Sequence, residues 1–93
     1  MSTTRSSAEL DMRRRRILFR CWHRGTKEMD LVFGRFADSE IDCLSEEELD
    51  QLETLMEHPD RDLFSWISGE VAPPAEVQTG TFDKIIAFTN STI

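Results

Sequence analysis

The feature that most constrains the fold is the spacing of the apolar residues, which follows a helical period in one segment after another. Between residues 27 and 37 the apolar side chains recur at i, i+3, i+4 and i+7, which places them on one face of a helix: Met29, Val32, Phe33 and Phe36. No segment alternates apolar and polar residues with the period of two that is typical of a half-buried strand. The sequence therefore predicts an all-α domain, a compact bundle of about five short helices.

Capping and stop residues divide the chain into its individual helices. Capping boxes, in which a serine is followed three residues later by a glutamate, begin at Ser6 and Ser45. Pro59 stops one helix because it disfavours helical geometry in the residue before it, and Gly69 ends the next. Asp60 is expected to cap the helix between them. The predicted helices cover about residues 7–24, 27–37, 46–57, 61–68 and 81–89, with an irregular strap over residues 70–80.

A chain of 93 residues makes one small domain, which we predict to span residues 1–93. Residues 1–8 are expected to form a flexible arm and residues 89–93 a frayed tail. The two cysteines form no CxxC motif and have no histidine at metal-ligand spacing, so they are expected to be small core residues. The expected core includes Met29, Phe33, Phe36, Phe64, Ile67, Cys21 and Cys43, with Trp22 and Trp66 at its edge.

Charge is divided unevenly along the chain. Residues 1–24 carry seven arginines against two acids, a balance of +5, whereas residues 25–93 carry four basic residues against sixteen acids, a balance of −12; together these make the net charge of −7. The acidic remainder would repel phosphates, so nucleic-acid binding is not expected, and docking onto another protein is the better use of this polarity. For the run from Arg13 to Arg16, a solvated helix face is preferred to a docking patch.

The sequence carries no motif of a known active site. It has no Gly-rich phosphate loop, no GxSxG and no HExxH, and His23 and His58 stand far apart without a partner motif. No apolar run approaches the roughly 18 residues of a membrane span, and no hydrophobic signal core opens the chain. We therefore expect a cytoplasmic protein without a metal site, membrane insertion or catalytic centre.

The segment most suggestive of function is Arg24-Gly25-Thr26-Lys27-Glu28, which joins the first two predicted helices. Gly25 suits a left-handed turn just past a helix end, Thr26 can cap the next helix, and Glu28 falls in that helix's first turn. We expect a tight corner with the Arg24 guanidinium and the Glu28 carboxylate on its outside. The alternative is that these two side chains pair with each other and that Gly25 only ends a helix.

Several segments of the chain together resemble the SdhE family, the flavinylation assembly factors of succinate dehydrogenase. The corner segment Arg24 to Glu28 matches the family's RGxxE motif, and residues Asp60 to Ile67 resemble its DxDLFxW segment. Shorter matches lie at Arg16-Ile17-Leu18, Asp30 and Leu44-Ser45, so that the resemblance covers about residues 13–88. Mitochondrial members of this family are called succinate dehydrogenase assembly factor 2.

The resemblance implies a five-helix bundle that is not itself an enzyme. Family members bind the flavoprotein subunit of succinate dehydrogenase, and often fumarate reductase, and promote covalent attachment of FAD to a histidine of that subunit. By analogy, this chain would be a monomer that binds no cofactor stably and acts on FAD held by the partner. The alternative is a protein-binding adaptor or antitoxin-like regulator of another partner. The residues that the resemblance places against the partner are Arg24, Gly25, Lys27, Glu28 and Asp30.

Overall fold

The fold consists of helices joined by short connections. In a computed structural model that describes residues 10–91, these residues form five α-helices, one short 3₁₀ turn and no strand, which confirms the predicted all-α class. The helices are α1 (Met12–Cys21), α2 (Lys27–Glu40), α3 (Glu46–Met56), α4 (Asp60–Ile67) and α5 (Gly80–Ser91), with the 3₁₀ turn at Ala75–Val77. Helix α1 packs against α2, and α5 packs against both α2 and α3.

The core lies where the apolar faces of these helices meet. On α2, three of the four residues of the predicted stripe are buried as expected, since Met29, Phe33 and Phe36 are at most 1% exposed, while Val32 is partly buried. Trp22, Trp66 and Ile67 pack against this core while remaining partly exposed, which confirms the two tryptophans as residues of the core edge. The other helices and connections contribute buried side chains that include Ile17, Leu18, Cys21, Ile41, Leu44, Leu49, Leu52, Leu63 and Ile85.

Helix α1 is shorter at both ends than the sequence predicts. It begins after Asp11, whose backbone is extended and whose carboxylate accepts a hydrogen bond from the Arg14 N–H. The hydrogen bond from Arg14 also lowers the pKa of Asp11. The predicted cap at Ser6 and the predicted arm over residues 1–8 lie outside the described residues. At the other end the helix stops at Cys21 and not at Arg24, so residues 22–26 form the connection to α2.

Two helix caps were predicted at the starts of α3 and α4, and the structure confirms the one at Ser45 but not the one at Asp60. The capping box at Ser45 is present in full, with the Ser45 hydroxyl and the Glu48 carboxylate each accepting the other's backbone N–H. Asp60, by contrast, does not cap α4: it is the first helical residue after Pro59, and its carboxylate bonds a distant arginine instead. Helix α5 continues through Ser91, and so includes residues 89–91 of the segment assigned to a frayed tail.

Two of the clustered arginines of α1 bond other parts of the fold, so the prediction of a solvated helix face is wrong for these two residues. The Arg13 guanidinium bonds the carboxylates of three residues of α3, at 2.7 Å from Glu46, 2.8 Å from Glu53 and also to Asp50, and these bonds raise its pKa. Arg14 donates to the backbone carbonyls of Ile41 (2.9 Å) and Leu44 in the connection between α2 and α3. Arg15 and Arg16 are exposed, as predicted.

The two cysteines differ in their surroundings. Cys21 is a core residue as expected, with its sulfur 3.4 Å from that of Met56, and burial raises the pKa of its thiol to about 12. Cys43 lies on the surface, so its assignment to the core is wrong. It follows the C-terminal end of α2 between Ile41 and Leu44, which supply the apolar contacts of that connection. None of the helices within residues 10–91 has the length together with the apolar character that a membrane span requires.

Candidate protein-interaction site

The connection between α1 and α2 forms a tight corner whose backbone follows the sequence prediction. Gly25 has a φ of 128°, a backbone conformation that residues with a Cβ rarely adopt. Thr26 caps α2, because its hydroxyl accepts a hydrogen bond from the Met29 N–H at 3.3 Å. A Cβ added at Gly25 would lie 3.4 Å from a carboxylate oxygen of Asp60, so the corner also lies close to the start of α4.

The Arg24 side chain does not lie on the outside of this corner, which corrects the sequence prediction. Only 11% of the side chain is exposed. Its guanidinium bonds the carboxylate of Asp60 at 2.7 and 2.9 Å, the carbonyl of Met56 at 2.6 Å and the carbonyl of His58 at 3.0 Å. Arg24 therefore pairs with Asp60, 36 residues away, and not with Glu28 as the alternative interpretation had it.

These bonds join two corners of the fold. Met56 is the last residue of α3, so Arg24 satisfies a carbonyl at the helix C-terminus, where a cation is also favoured by the helix dipole. The guanidinium lies over the buried Phe33 ring, 5.6 Å from its centre. Asp30 contributes from α2, since its carboxylate accepts the backbone N–H of Arg24. Arg24 thus holds the α1–α2 corner against the connection between α3 and α4, and Asp30 fixes the backbone of Arg24 within that corner.

The residues of the corner that face solvent are Gly25, Thr26, Lys27 and Glu28. Below them, Gly34 of α2 is buried against the indole of Trp22, and a Cβ at this glycine would overlap that ring. Gly34 therefore allows a close approach that brings the end of α1 directly onto α2. Of the five residues predicted to bind the partner, three are exposed and two, Arg24 and Asp30, support them from inside.

An open groove of about 340 Å³ lies beside the corner, between the first turns of α2 and α4. The α2 side contributes Thr26, Glu28 and Met29, and the α4 side contributes Asp60, Arg61 and Phe64. Glu28 and Thr26 belong to both the corner and the groove, so the two features form one continuous surface. We call this surface, from Gly25 to Glu28 together with the groove, the corner surface.

Phe64 was expected in the core but is 49% exposed on the wall of this groove. Helix α4 buries Leu63 instead, with Trp66 and Ile67 packed against the core at positions i+3 and i+4 from it. The helical spacing of Leu63, Trp66 and Ile67 could have revealed this buried face of α4. Phe64 lies about one residue's rotation around the helix from Leu63. Asp60 and Arg61 were missed as site residues because their role depends on the start of α4 lying beside the α1–α2 corner.

The fold and the corner surface define the class of this protein: a small all-α domain that presents a braced polar corner beside an exposed apolar groove. Exposed apolar surface rimmed by polar residues is typical of sites that bind other proteins. Within residues 10–91 no group of three His, Cys, Asp or Glu residues is placed to hold a metal ion.

The chain belongs to the family described as the flavinator of succinate dehydrogenase, because the model of that family matches residues 15–89. It is 38% identical over 77 residues to the FAD assembly factor SdhE of Acetobacter pasteurianus, an alignment that covers 83% of this chain and 71% of that protein. It is 39% identical over 62 residues to the protein of the same name from Legionella pneumophila, covering 67% of this chain and 77% of the relative.

A mitochondrial relative is also similar. The chain is 35% identical over 72 residues to the mitochondrial succinate dehydrogenase assembly factor 2 of Dictyostelium discoideum, covering 77% of this chain and 51% of that protein. The match to the family model includes both the corner and the groove, since residues 24–28 and 60–64 fall within residues 15–89. No solved structure matches this chain.

Proposed function

We propose that this chain is an assembly factor that binds the flavoprotein subunit of succinate dehydrogenase and promotes covalent attachment of FAD to a histidine of that subunit. The observation that carries the proposal is the match to the flavinator family over residues 15–89, which spans the whole corner surface. In this proposal the chain acts as a chaperone and not as an enzyme. FAD is held by the partner, and the chain acts as a monomer in the cytoplasm.

Covalent attachment of FAD depends more on how the flavin and the histidine are positioned than on a catalytic group of this chain. The flavin and the histidine must be held within reach of each other while charge develops on the flavin ring, and a partner that fixes this arrangement lowers the barrier through orientation and preorganised charge. A rigid corner is suited to this work, and here it is braced by the Arg24 bonds to Asp60, Met56 and His58. Glu28 offers an exposed carboxylate that can accept a hydrogen bond from the flavoprotein.

The roles of the predicted residues divide accordingly. Gly25 lets the backbone of the corner approach the flavoprotein closely, and Lys27 and Glu28 contact it through their side chains. Arg24 and Asp30 keep the corner in shape and contribute to binding through that shape. A substitution at Arg24 is therefore expected to lower both the stability of the chain and the yield of flavinylated partner, whereas one at Glu28 lowers only the second.

The experiment is to express the flavoprotein subunit with and without this chain and to measure its covalent flavin by fluorescence on a denaturing gel. The wild-type chain is expected to raise the covalent flavin severalfold, and Glu28→Gln to remove most of that gain. Glu47→Gln is the matched control, because Glu47 is likewise an exposed glutamate at the second position of a helix with a hydroxyl cap.

Equal covalent flavin with and without the chain would refute the proposed function. If Glu28→Gln and Glu47→Gln behave alike while the wild-type chain is active, the chain is an assembly factor but its corner is not the contact. Gly25→Arg is a weaker test, since a side chain at this positive φ also strains the backbone next to Arg24.

A further inference from the structure

The exposed ring of Phe64 is the part of the corner surface that the family motif at residues 24–28 does not explain. Four large apolar side chains are strongly exposed within residues 10–91, namely Met12, Phe19, Phe64 and Val71, and Phe64 is the one of them that lines the groove. Met29, which is 1% exposed, also lines the groove from α2. A side chain entering the groove would remove apolar surface of Phe64 from water.

The charges around the groove are balanced. The Asp60 carboxylate is already paired with Arg24, which leaves Glu28 from α2 and Arg61 from α4 as the exposed charges of opposite sign. A groove with this rim does not select a ligand of either net charge. It matches a peptide segment, whose N–H groups can donate to the Glu28 carboxylate and whose carbonyls can accept from the Arg61 guanidinium.

The same geometry argues against two other occupants. FAD carries a diphosphate, and the groove offers it one exposed cation beside a carboxylate, in an open depression at the small end of the roughly 300–1,000 Å³ of small-molecule sites. A second copy of this chain would bring another net charge of −7 to the surface, which opposes association. A protein segment with an apolar side chain fits the groove better than either.

We propose that the groove between α2 and α4 binds one large apolar side chain from a loop of the succinate dehydrogenase flavoprotein subunit, with Phe64 as the main contact. The inference rests on the proposed function, because it takes the flavoprotein as the partner of the corner. The groove adds an anchor beside the corner: Glu28 and Arg61 hold the main chain of the loop, and Phe64 packs against its apolar side chain. Affinity then comes mainly from the groove, and the placement of the flavoprotein from the corner.

The test compares two exposed phenylalanines by titrating the purified flavoprotein subunit with Phe64→Ala, Phe64→Leu and Phe19→Ala variants of the full chain. Phe19 is 62% exposed, stacks on His23 and does not line the groove, so Phe19→Ala controls for the loss of a surface ring. Phe64→Ala is expected to raise Kd at least tenfold, Phe64→Leu to recover most of that loss, and Phe19→Ala to stay within twofold of the wild type. Circular dichroism should show the same helical content for all three variants.

Wild-type affinity of Phe64→Ala, with an active wild-type chain, would overturn the inference and leave the proposed function intact. A wild-type chain that neither binds the flavoprotein nor changes its covalent flavin would overturn both. Two further measurements identify a different occupant. Binding of free FAD to the isolated chain that Phe64→Ala abolishes, or a dimer that the same variant dissociates, would replace the loop of the flavoprotein with the cofactor or with a second copy.

Discussion

Arg13 lies near the start of α1 and Arg24 in the connection that follows it, and both tie this part of the chain to α3 in different ways. Arg13 bonds three carboxylates on the surface of α3, and 28% of its side chain is exposed. Arg24 bonds one carboxylate and two backbone carbonyls, lies over the Phe33 ring, and is 11% exposed. Arg13 therefore has more charged partners than Arg24, but its removal is expected to destabilise the fold less.

The difference follows from solvent. Water and salt screen the charges around Arg13, and its partners would be hydrated if it were removed. Removal of Arg24 would leave the Asp60 carboxylate, which is 18% exposed, and the carbonyl of Met56 without their donor in a place that water reaches poorly. Arg24 also connects two corners of the chain, so its loss would affect the shape of the corner surface, whereas Arg13 ties the N-terminal end of α1 to α3.

The largest effect is expected for Phe33→Ala, which tests whether the Arg24 site depends on the core beneath it. The ring is fully buried, and its truncation is expected to cost about 3–5 kcal/mol in the free energy of unfolding. Chemical denaturation measures this change. A loss below about 1 kcal/mol would show that the ring contributes little beneath the guanidinium, and would weaken the contrast between the two arginines.

The next effect is expected for Arg24→Met, which is predicted to cost about 3 kcal/mol, because it breaks a mostly buried ion pair and leaves two carbonyls without a donor. Arg13→Met should cost less than Arg24→Met, and its effect should shrink further in 1 M salt. Denaturant unfolding of both variants at low and high salt measures the difference. Equal losses in the two variants would contradict the comparison.

The buried thiol of Cys21 offers a local readout for the same pair of variants. Its sulfur lies against Met56, whose carbonyl accepts from Arg24, and it is fully buried, whereas the Cys43 thiol is on the surface. Thiol reagent should therefore label Cys43 at once and Cys21 only after the structure opens. Arg24→Met is expected to speed the labelling of Cys21 more than Arg13→Met does.

The smallest effect is expected at the surface pair of Glu48 and Lys84, which joins α3 to α5 at 2.5 Å. The hydrogen bond from Lys84, together with that from the Ser45 N–H, lowers the pKa of Glu48 from its ordinary value of 4.5. A carboxyl group whose pKa is lower in the folded state contributes stability above its unfolded pKa and loses it as the pH falls. Unfolding measured from pH 7 to 3 should show a shallower acid loss for Glu48→Gln than for the wild type.

Short-range patterns predicted most of the fold. The i, i+3, i+4, i+7 stripe of α2, the Ser45 capping box and the left-handed Gly25 are all decided within a few residues, and the structure has each of them. The errors arose where local signals leave a choice. Asp60 is as good a cap as a partner for a distant arginine, and Leu63 and Phe64 are adjacent apolar residues of which a short helix can bury one.

The sequence alone determined the helical class, the position of the corner and the family to which the chain belongs, because periodicity, caps and a short motif depend on neighbouring residues. Tertiary structure decided which side of the corner each charge occupies. Arg24 meets Asp60 across 36 residues, and Phe64 lines the same groove as Glu28. Such contacts form only when α2 and α4 pack around the same core, and that packing directs Arg24 inward and leaves Glu28 and Phe64 on the surface.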